Sequence, residues 1–171
     1  MNATRIHYIV FPSPLGLIGI ASTLAGLCCV KIRVSSEPAF CDYLRKTYGH
    51  TPVKKKLKNL KRQFDLFFSS KLKRFTCSLD LSQGTPFQRK VWRKLASIPF
   101  GDTRSYQWLA SAIGNAKASR AVGNANGQNP LPIVIPCHRV IRKYGGLGGY
   151  SGGLHIKRFL LNLENPSLGA L

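Results

Sequence analysis

The sequence predicts an α/β unit with an antiparallel sheet over residues 1–81, then a mainly α-helical unit containing a helix-turn-helix over 82–171. Three observations predict it. Short runs of β-formers separated by tight turns fill the first part of the chain. Apolar residues then recur at helical spacing. After "SQG" at 82–84 the chain becomes a series of helices with recognisable caps. A length of 171 residues with 44% apolar content allows two small domains with real cores.

The first strand is "RIHYIVF", which ends at the turn signal "PSPLG". "LIGIAS" and "LCCVKIRV" follow as second and third strands, giving an antiparallel meander. Cys28 and Cys29 lie in the third strand as core fillers. Ser36 caps a helix through "PAFCDYLRKTY", with Phe40, Leu44 and Thr47/Tyr48 on one face and Gly49 as its stop. Val53, Leu57, Leu60, Phe64 and Phe67/Phe68 recur at helical spacing, so a second helix is expected to begin near Val53 and carry the lysines of "KKKLKNLKR" outward. "FTCSLDL" at 75–81 alternates as a strand or extended linker, with Cys77 facing inward.

In the second unit Thr85 caps a helix with Pro86 in its first turn and an apolar stripe of Phe87, Val91, Leu95 and Ile98. Ser105 caps the helix "YQWLASAI", stopped by Gly114. A further helix is expected over "AKASRAVGNANGQN", completing a helix-turn-helix. Its residues are small: Ala116, Ala118, Ser119, Ala121, Gly123 and Ala125. Glycine inside a helix costs about 1 kcal/mol against alanine, so Gly123 needs a reason. Tight helix packing and close approach of a nucleic-acid backbone are the two available. Arg120 is the long side chain projecting from this smooth surface. "HIKRFLLNLE" forms the last helix and ends at Glu164.

Charge narrows the function. The chain holds 26 Lys+Arg against 6 Asp+Glu, a formal net charge of +20. Such an excess repels itself unless an anionic partner relieves it, and nucleic acid is the commonest such partner. The excess is shared evenly by the two units, so it lies on folded surfaces and not on a tail. "KKKLKNLKR" is either a solvated helix face or a phosphate contact. No stretch has the roughly 18 apolar residues of a membrane span, and no membrane partner is expected. The five cysteines are odd in number and no secretory signal is visible, which points to reduced thiols in the cytoplasm. No C-x-x-C pair exists and the four histidines are scattered, so no metal site is expected.

The chemistry centres on "NPLPIVIPCHRVI", where three prolines rule out a central strand and hold the chain as rigid extended backbone. A thiol there could be a buried filler, a metal ligand, half of a disulfide or a nucleophile, and composition alone favours core filling for Cys137. Neighbours on extended chain face opposite ways, so adjacency to His138 does not establish a Cys–His pair. "YGGLGGYSGGL" at 144–154 lacks the phosphate-loop pattern but lets backbone amides approach a ligand closely. Glu164 is one of two acidic residues after residue 81, either orienting His138 or lying at the surface.

"GTPFQRKVWRKLASIPFGDTRSYQWLA", "SRAVGNANGQNPLPIVIPCHRVI" and "GGYSGGLHIKRFLLNLE" together resemble the catalytic domain of the O6-alkylguanine-DNA alkyltransferases, almost continuously over 84–164. The resemblance implies a ribonuclease-H-like N-terminal domain and a winged-helix-like DNA-binding domain, with no cofactor. It implies that Cys137 accepts the alkyl group from O6 of guanine in a single, irreversible turnover. His138 would take the thiol proton through a water, Glu164 would orient the imidazole, and Tyr106 would assist the leaving guanine. Asn129 would brace the turn, while Cys137, Val140 and Ser151 backbone groups read the base and Tyr150 lines its pocket. Ser105, Arg120, Ala121 and Gly123 would contact double-stranded DNA in the minor groove, largely without regard to sequence. Arg120 would fill the gap left by a flipped base. The protein would act as a monomer, cytoplasmic and nucleoid-associated. Two rival classes stand beside this reading. A non-catalytic DNA-binding lesion sensor does not need Cys137. A Cys–His hydrolase explains neither the charge nor the small-residue helix.

Overall fold

A computed structural model describes residues 5–168. The chain divides into two compact units, Met1–Leu81 and Ser82–Leu171.

In the first unit, β1 (His7–Ser13), β2 (Gly16–Ser22) and β3 (Leu27–Ile32) form the antiparallel meander. β1 pairs β2 from His7↔Ser22 to Ser13↔Gly16, which leaves Pro14 and Leu15 as the turn. Helix α1 (Glu37–Tyr48) is capped by Ser36, whose hydroxyl accepts from the Ala39 amide, and Gly49 ends it in the left-handed region. Its buried Phe40 and Leu44 pack on Ile6, Tyr8, Cys28 and Cys29, so the cysteine doublet fills the core.

The helix expected from Val53 begins later. Val53–Lys54 is a short strand, β4, parallel to β1, and α2 runs Lys58–Phe68. The Val53 and Lys55 amides donate to the Ile6 and Tyr8 carbonyls at 2.8 and 3.1 Å. A free sheet edge thus overrides the side-chain period, and Val53 stays exposed. Phe64 and Phe67 anchor α2 against the Phe75 ring, and Phe64 also meets Phe11. Lys54 and Lys61 pair with Glu37 and Asp65 at 2.8 and 2.7 Å. Residues 78–80 run extended beside the start of β3, joined through Leu27.

In the second unit α3 (Pro86–Leu95) opens on a reciprocal box. The Thr85 hydroxyl accepts from the Gln88 amide, and the Gln88 side chain accepts from the Thr85 amide. The helix ends before Ile98, which is buried from the following turn. The two-residue strand β5 (Arg104–Ser105) leads into α4 (Tyr106–Ala112), capped by Ser105. Helix α5 (Ser119–Gly127) starts later than expected, because the Ala118 amide closes a turn onto the Asn115 carbonyl. Ala116 therefore precedes the helix and Ala118 flanks its start. Trp92 ties α3 to α5 by donating from Nε1 to the Ala125 carbonyl at 2.8 Å. β6 (Val140–Ile141) pairs in parallel with β5, and α6 (Leu154–Glu164) closes the core with Ile156, Leu160 and Leu161. No helix among the described residues is long and apolar enough to cross a membrane.

Candidate active site

Cys137 does not sit on extended chain. Cys137–Arg139 form a single 3-10 turn between Pro136 and β6. All three side chains are buried. Asn129 holds the approach to this turn: its Oδ1 accepts from the Leu131 amide at 3.0 Å and its Nδ2 donates to the Ile135 carbonyl at 2.8 Å. Asn126 Nδ2 reaches the Cys137 carbonyl at 3.4 Å.

Cys137 opens onto a cavity of about 210 Å³, whose walls are Tyr106, Gly123, Asn126, Gly127, Gly149, Tyr150 and Ser151. The space suits one nucleobase-sized ring system. Tyr106 stands between two glycines. A Cβ at Gly148 would meet its ring at 3.0 Å, and Gly148 has φ +67°, so the glycine-rich segment must be glycine there. A Cβ at Gly123 would meet the same ring only at an ordinary 3.8 Å. Helix packing therefore does not require Gly123, and its missing side chain keeps the cavity mouth open.

Behind the cavity lies a buried charge cluster. His138 Nε2 is 2.8 Å from Glu164 Oε1. Arg139 grips the same carboxylate twice, Nε to Oε2 and Nη2 to Oε1, each at 2.8 Å, and donates from Nη1 to the Ile98 carbonyl. The Gly101 amide also donates to Glu164 Oε2. Burial pushes the Glu164 carboxyl up, but the hydrogen bonds from His138 and Arg139 overcome it and hold it down at about 2. Burial lowers the His138 pKa against the pull of Glu164, which keeps the imidazole neutral at pH 7. A neutral ring that donates from Nε2 to a carboxylate carries its lone pair on Nδ1. Nδ1 is buried and has no hydrogen-bond partner among the protein groups. Asn126 Oδ1 is likewise unpaired, and the buried Tyr150 hydroxyl faces the Cys137 thiol without a well-formed hydrogen bond. An unpaired buried polar atom costs about 1–3 kcal/mol, and Asn126 and Tyr150 both line the cavity, so these two atoms suit it to receive a polar guest.

Burial raises the Cys137 thiol pKa, while the Asn129 amide, the charge of Lys157 and the Tyr150 hydroxyl pull it back. Lys157 has no exposed surface. Its ammonium donates to the carbonyls of Val140 (2.6 Å), Leu147 and Gly149 (3.4 Å), pinning the glycine-rich segment to the Cys137 turn. Burial lowers the Lys157 pKa to about 8. Tyr106 is also raised by burial, and its hydroxyl has only a long contact, 3.5 Å, to the Gly149 carbonyl.

The structure thus gathers Cys137, Tyr106, Tyr150, Ser151 and Gly123 around one cavity, with His138, Glu164 and Asn129 supporting it. Val140 is fully buried and is not among the residues lining the cavity; its carbonyl meets Lys157. Ser105 spends its hydroxyl on the Trp108 amide. Arg120 and Ala121 lie exposed on α5. Sequence reasoning missed Arg139, Lys157 and Asn126. A signal for Lys157 was present, since it shares the i, i+3, i+4, i+7 stripe of α6 with Leu160, Leu161 and Glu164. Among the described residues no group of three His, Cys, Asp or Glu is placed to hold a metal ion. A larger groove of about 620 Å³ in the first unit, lined by Asn59, Arg62, Gln63 and Thr76 among others, lacks any such nucleophile–base constellation.

Comparison with known proteins agrees with both halves of this fold. Residues 6–81 match the family model of the 6-O-methylguanine DNA methyltransferase ribonuclease-like domain, and 86–166 match that family's DNA-binding domain. The methylated-DNA–protein-cysteine methyltransferase of Methanosarcina acetivorans is 41% identical over 159 residues, covering 93% of this chain and 98% of the relative. The constitutive enzyme of that name from Bacillus subtilis is 44% identical over 165 residues, covering 94% and 96%. Mycobacterium tuberculosis OGT, solved in complex with DNA, superposes with a TM-score of 0.80 at 37% identity, covering 94% of this chain and 93% of that one. Matched in both domains and over nearly its whole length, the chain belongs to the 6-O-methylguanine DNA methyltransferase family.

Proposed function

We propose that the protein repairs DNA directly, moving an alkyl group from O6 of guanine to Cys137 once per molecule. The observation that carries this reading is a cysteine on a nucleobase-sized cavity, backed by a neutral histidine whose free Nδ1 is fixed by a buried carboxylate. An ordinary thiol is only a few per cent ionised at pH 7, and burial here raises the pKa further, so the proton must be removed as the base binds. His138 Nδ1 takes it through a bridging water. Glu164, held ionised by Arg139, then stabilises the imidazolium. The Cys137 thiolate attacks the alkyl carbon, an S–C bond forms, and the O6–C bond breaks with its electron pair going to the guanine. The Tyr106 hydroxyl supports that developing charge by hydrogen bonding. The proton lost from the thiol replaces the alkyl group on the guanine. The product thioether cannot readily return the group, so turnover stops there.

The base is read by the carbonyls of Cys137 and Val140 and by the backbone at Ser151, with Tyr150 as a wall. The Val140 oxygen keeps a second lone pair beside its bond to Lys157. The partner is double-stranded DNA with O6-alkylguanine, engaged in the minor groove largely without regard to sequence. The surface of α5 supports this, because Ala121 and Gly123 present almost no side chain and Ser105 stands at the start of α4 beside Tyr106. The protein is proposed to act as a monomer, in the cytoplasm and on the nucleoid. The relatives' shared name and the DNA complex of the mycobacterial protein support the same reading.

Titration with an O6-methylguanine duplex tests it. One equivalent of lesion should exhaust one equivalent of protein. Repeated turnover would contradict the proposal.

Arg120 carries the flipping step. It is exposed on α5 among small residues and is the long side chain there able to enter a base stack. Losing its hydrogen bond to the orphaned base should raise the cost of extrusion by about 1–3 kcal/mol. Arg120→Ala should therefore lower the ratio of the rate on duplex DNA to the rate on free O6-benzylguanine by roughly tenfold or more. Equal slowing on both substrates would move Arg120 from flipping to support of the cavity.

A further inference from the structure

Helix α5 gives the cavity three residues, Gly123, Asn126 and Gly127. They stand at i, i+3 and i+4, so one face of the helix forms this wall. Two of the three are glycines, and packing requires neither. A Cβ at Gly123 meets the Tyr106 ring at an ordinary 3.8 Å, and one at Gly127 meets nothing within 4 Å. Asn126 is therefore the side chain that α5 brings to the cavity, set between two gaps.

The helix is held firmly around it. Trp92 Nε1 donates to the Ala125 carbonyl, and Gln88 Nε2 donates to Gln128 Oε1 at 2.7 Å, so α5 is tied to α3 on both sides of Asn126. Asn126 itself is 4% exposed. Its Nδ2 reaches the Cys137 carbonyl at 3.4 Å, a long bond, while Oδ1 has no partner in the protein. Support of the Cys137 turn thus uses the nitrogen and leaves the oxygen unexplained. A leucine would fill the same space without a stranded acceptor. That unpaired acceptor destabilises the empty cavity and is satisfied by a guest that donates.

Alkylation at O6 removes the N1 proton of guanine. N3, N7 and O6 then accept only, and the exocyclic N2 amine is the donor left on the base edge. An amine carries two hydrogens. The cavity sets two acceptors close together, Asn126 Oδ1 and the Cys137 carbonyl to which the same amide is bonded.

We infer that Asn126 is a specificity-determining residue, whose Oδ1 accepts a hydrogen bond from the N2 amine of the alkylated guanine while the backbone carbonyls take the other hydrogen. A site built to bond an N–H rejects an analogue that lacks it, because its own buried group is then left unpaired. The inference rests on the proposed alkyl transfer to Cys137 and assigns to Asn126 the choice of base.

The test compares single-turnover rates on two duplexes that differ in one group: O6-methylguanine, and O6-methylhypoxanthine, which lacks the N2 amine. Wild type should favour the guanine lesion by about tenfold or more. Asn126→Leu keeps the size of the side chain and removes Oδ1; Asn126→Ala removes the amide without adding bulk. In both variants the preference should shrink by about tenfold. Any loss from a loosened Cys137 turn falls on both lesions alike and leaves the ratio unmoved. Equal wild-type rates on the two lesions would overturn the inference. So would a preference that survives unchanged in either variant, which would reduce Asn126 to a support for the turn. A wild type that takes no methyl group from either duplex would sink the repair reading itself, a result distinct from these.

Discussion

Cys137→Ser is expected to abolish alkyl transfer while leaving lesion binding in place. The substitution keeps the size of the side chain at the cavity floor and removes the one atom able to act as an ionised nucleophile at neutral pH. A serine hydroxyl is far harder to ionise than a thiol, and His138 is held below its ordinary pKa, so it is too weak a base to make up the difference. Among the described residues no other cysteine lines this cavity. Cys28 and Cys29 are buried in the core of the first unit, with their thiols pushed up by burial to about 11 and about 12. Trapping of O6-methylguanine duplex by Cys137→Ser in gel-shift, with no methyl transferred over hours, is the expected outcome. Residual stoichiometric transfer would place the acceptor elsewhere.

Glu164→Gln should have the next largest effect, on both rate and stability. Without the carboxylate the imidazolium formed on proton uptake loses its partner, and transfer should slow by about 10²–10⁴-fold, the usual contribution of a positioned general base. The substitution also strands Arg139 as a buried cation, costing about 3–5 kcal/mol. The pH dependence gives an independent check. Glu164 lies near 2 in the folded unit against an ordinary 4.5, so its contribution to stability is complete above about 4.5 and is lost as pH falls toward 2. On the scale of that shift the contribution is about 3 kcal/mol. His138 acts in the same direction at higher pH: lowered in the fold, it makes the unfolded chain bind protons first, so stability begins to fall below 6.5. Acid denaturation of the wild type should therefore show both losses, and Glu164→Gln should lack the lower one. An acid profile unchanged by Glu164→Gln would contradict the ionised, clamped state described for this carboxylate.

Much of this was legible before the fold was known, for identifiable reasons. Local signals work where the chain satisfies its own backbone. Ser36, Thr85 and Ser105 each cap the helix they precede, and the meander follows from turns that close on themselves. Failures came where a distant group supplies the partner. Val53 looks helical by spacing, yet its amide finds the Ile6 carbonyl across the sheet edge. The 3-10 turn at Cys137 was hidden because prolines exclude a strand without specifying what replaces it. In the site, the Cys–His–Glu relation was open to sequence reasoning only through resemblance, since residues 138 and 164 meet by tertiary folding. The cations were harder still. Arg139 and Lys157 resemble surface residues in a chain with so many of them, and only burial shows that one clamps Glu164 and the other ties the Val140 carbonyl to those of Leu147 and Gly149 in the glycine-rich segment.

The central claim is that Cys137 itself becomes alkylated, with His138 and Glu164 serving it. Intact mass measured before and after incubation with O6-methylguanine duplex, followed by peptide mapping, tests this most directly. A gain of one methyl group per molecule is expected, located on the peptide containing Cys137 and on its sulfur. An unchanged mass, or a methyl group found on Cys28, Cys29, Cys41 or Cys77, would contradict it.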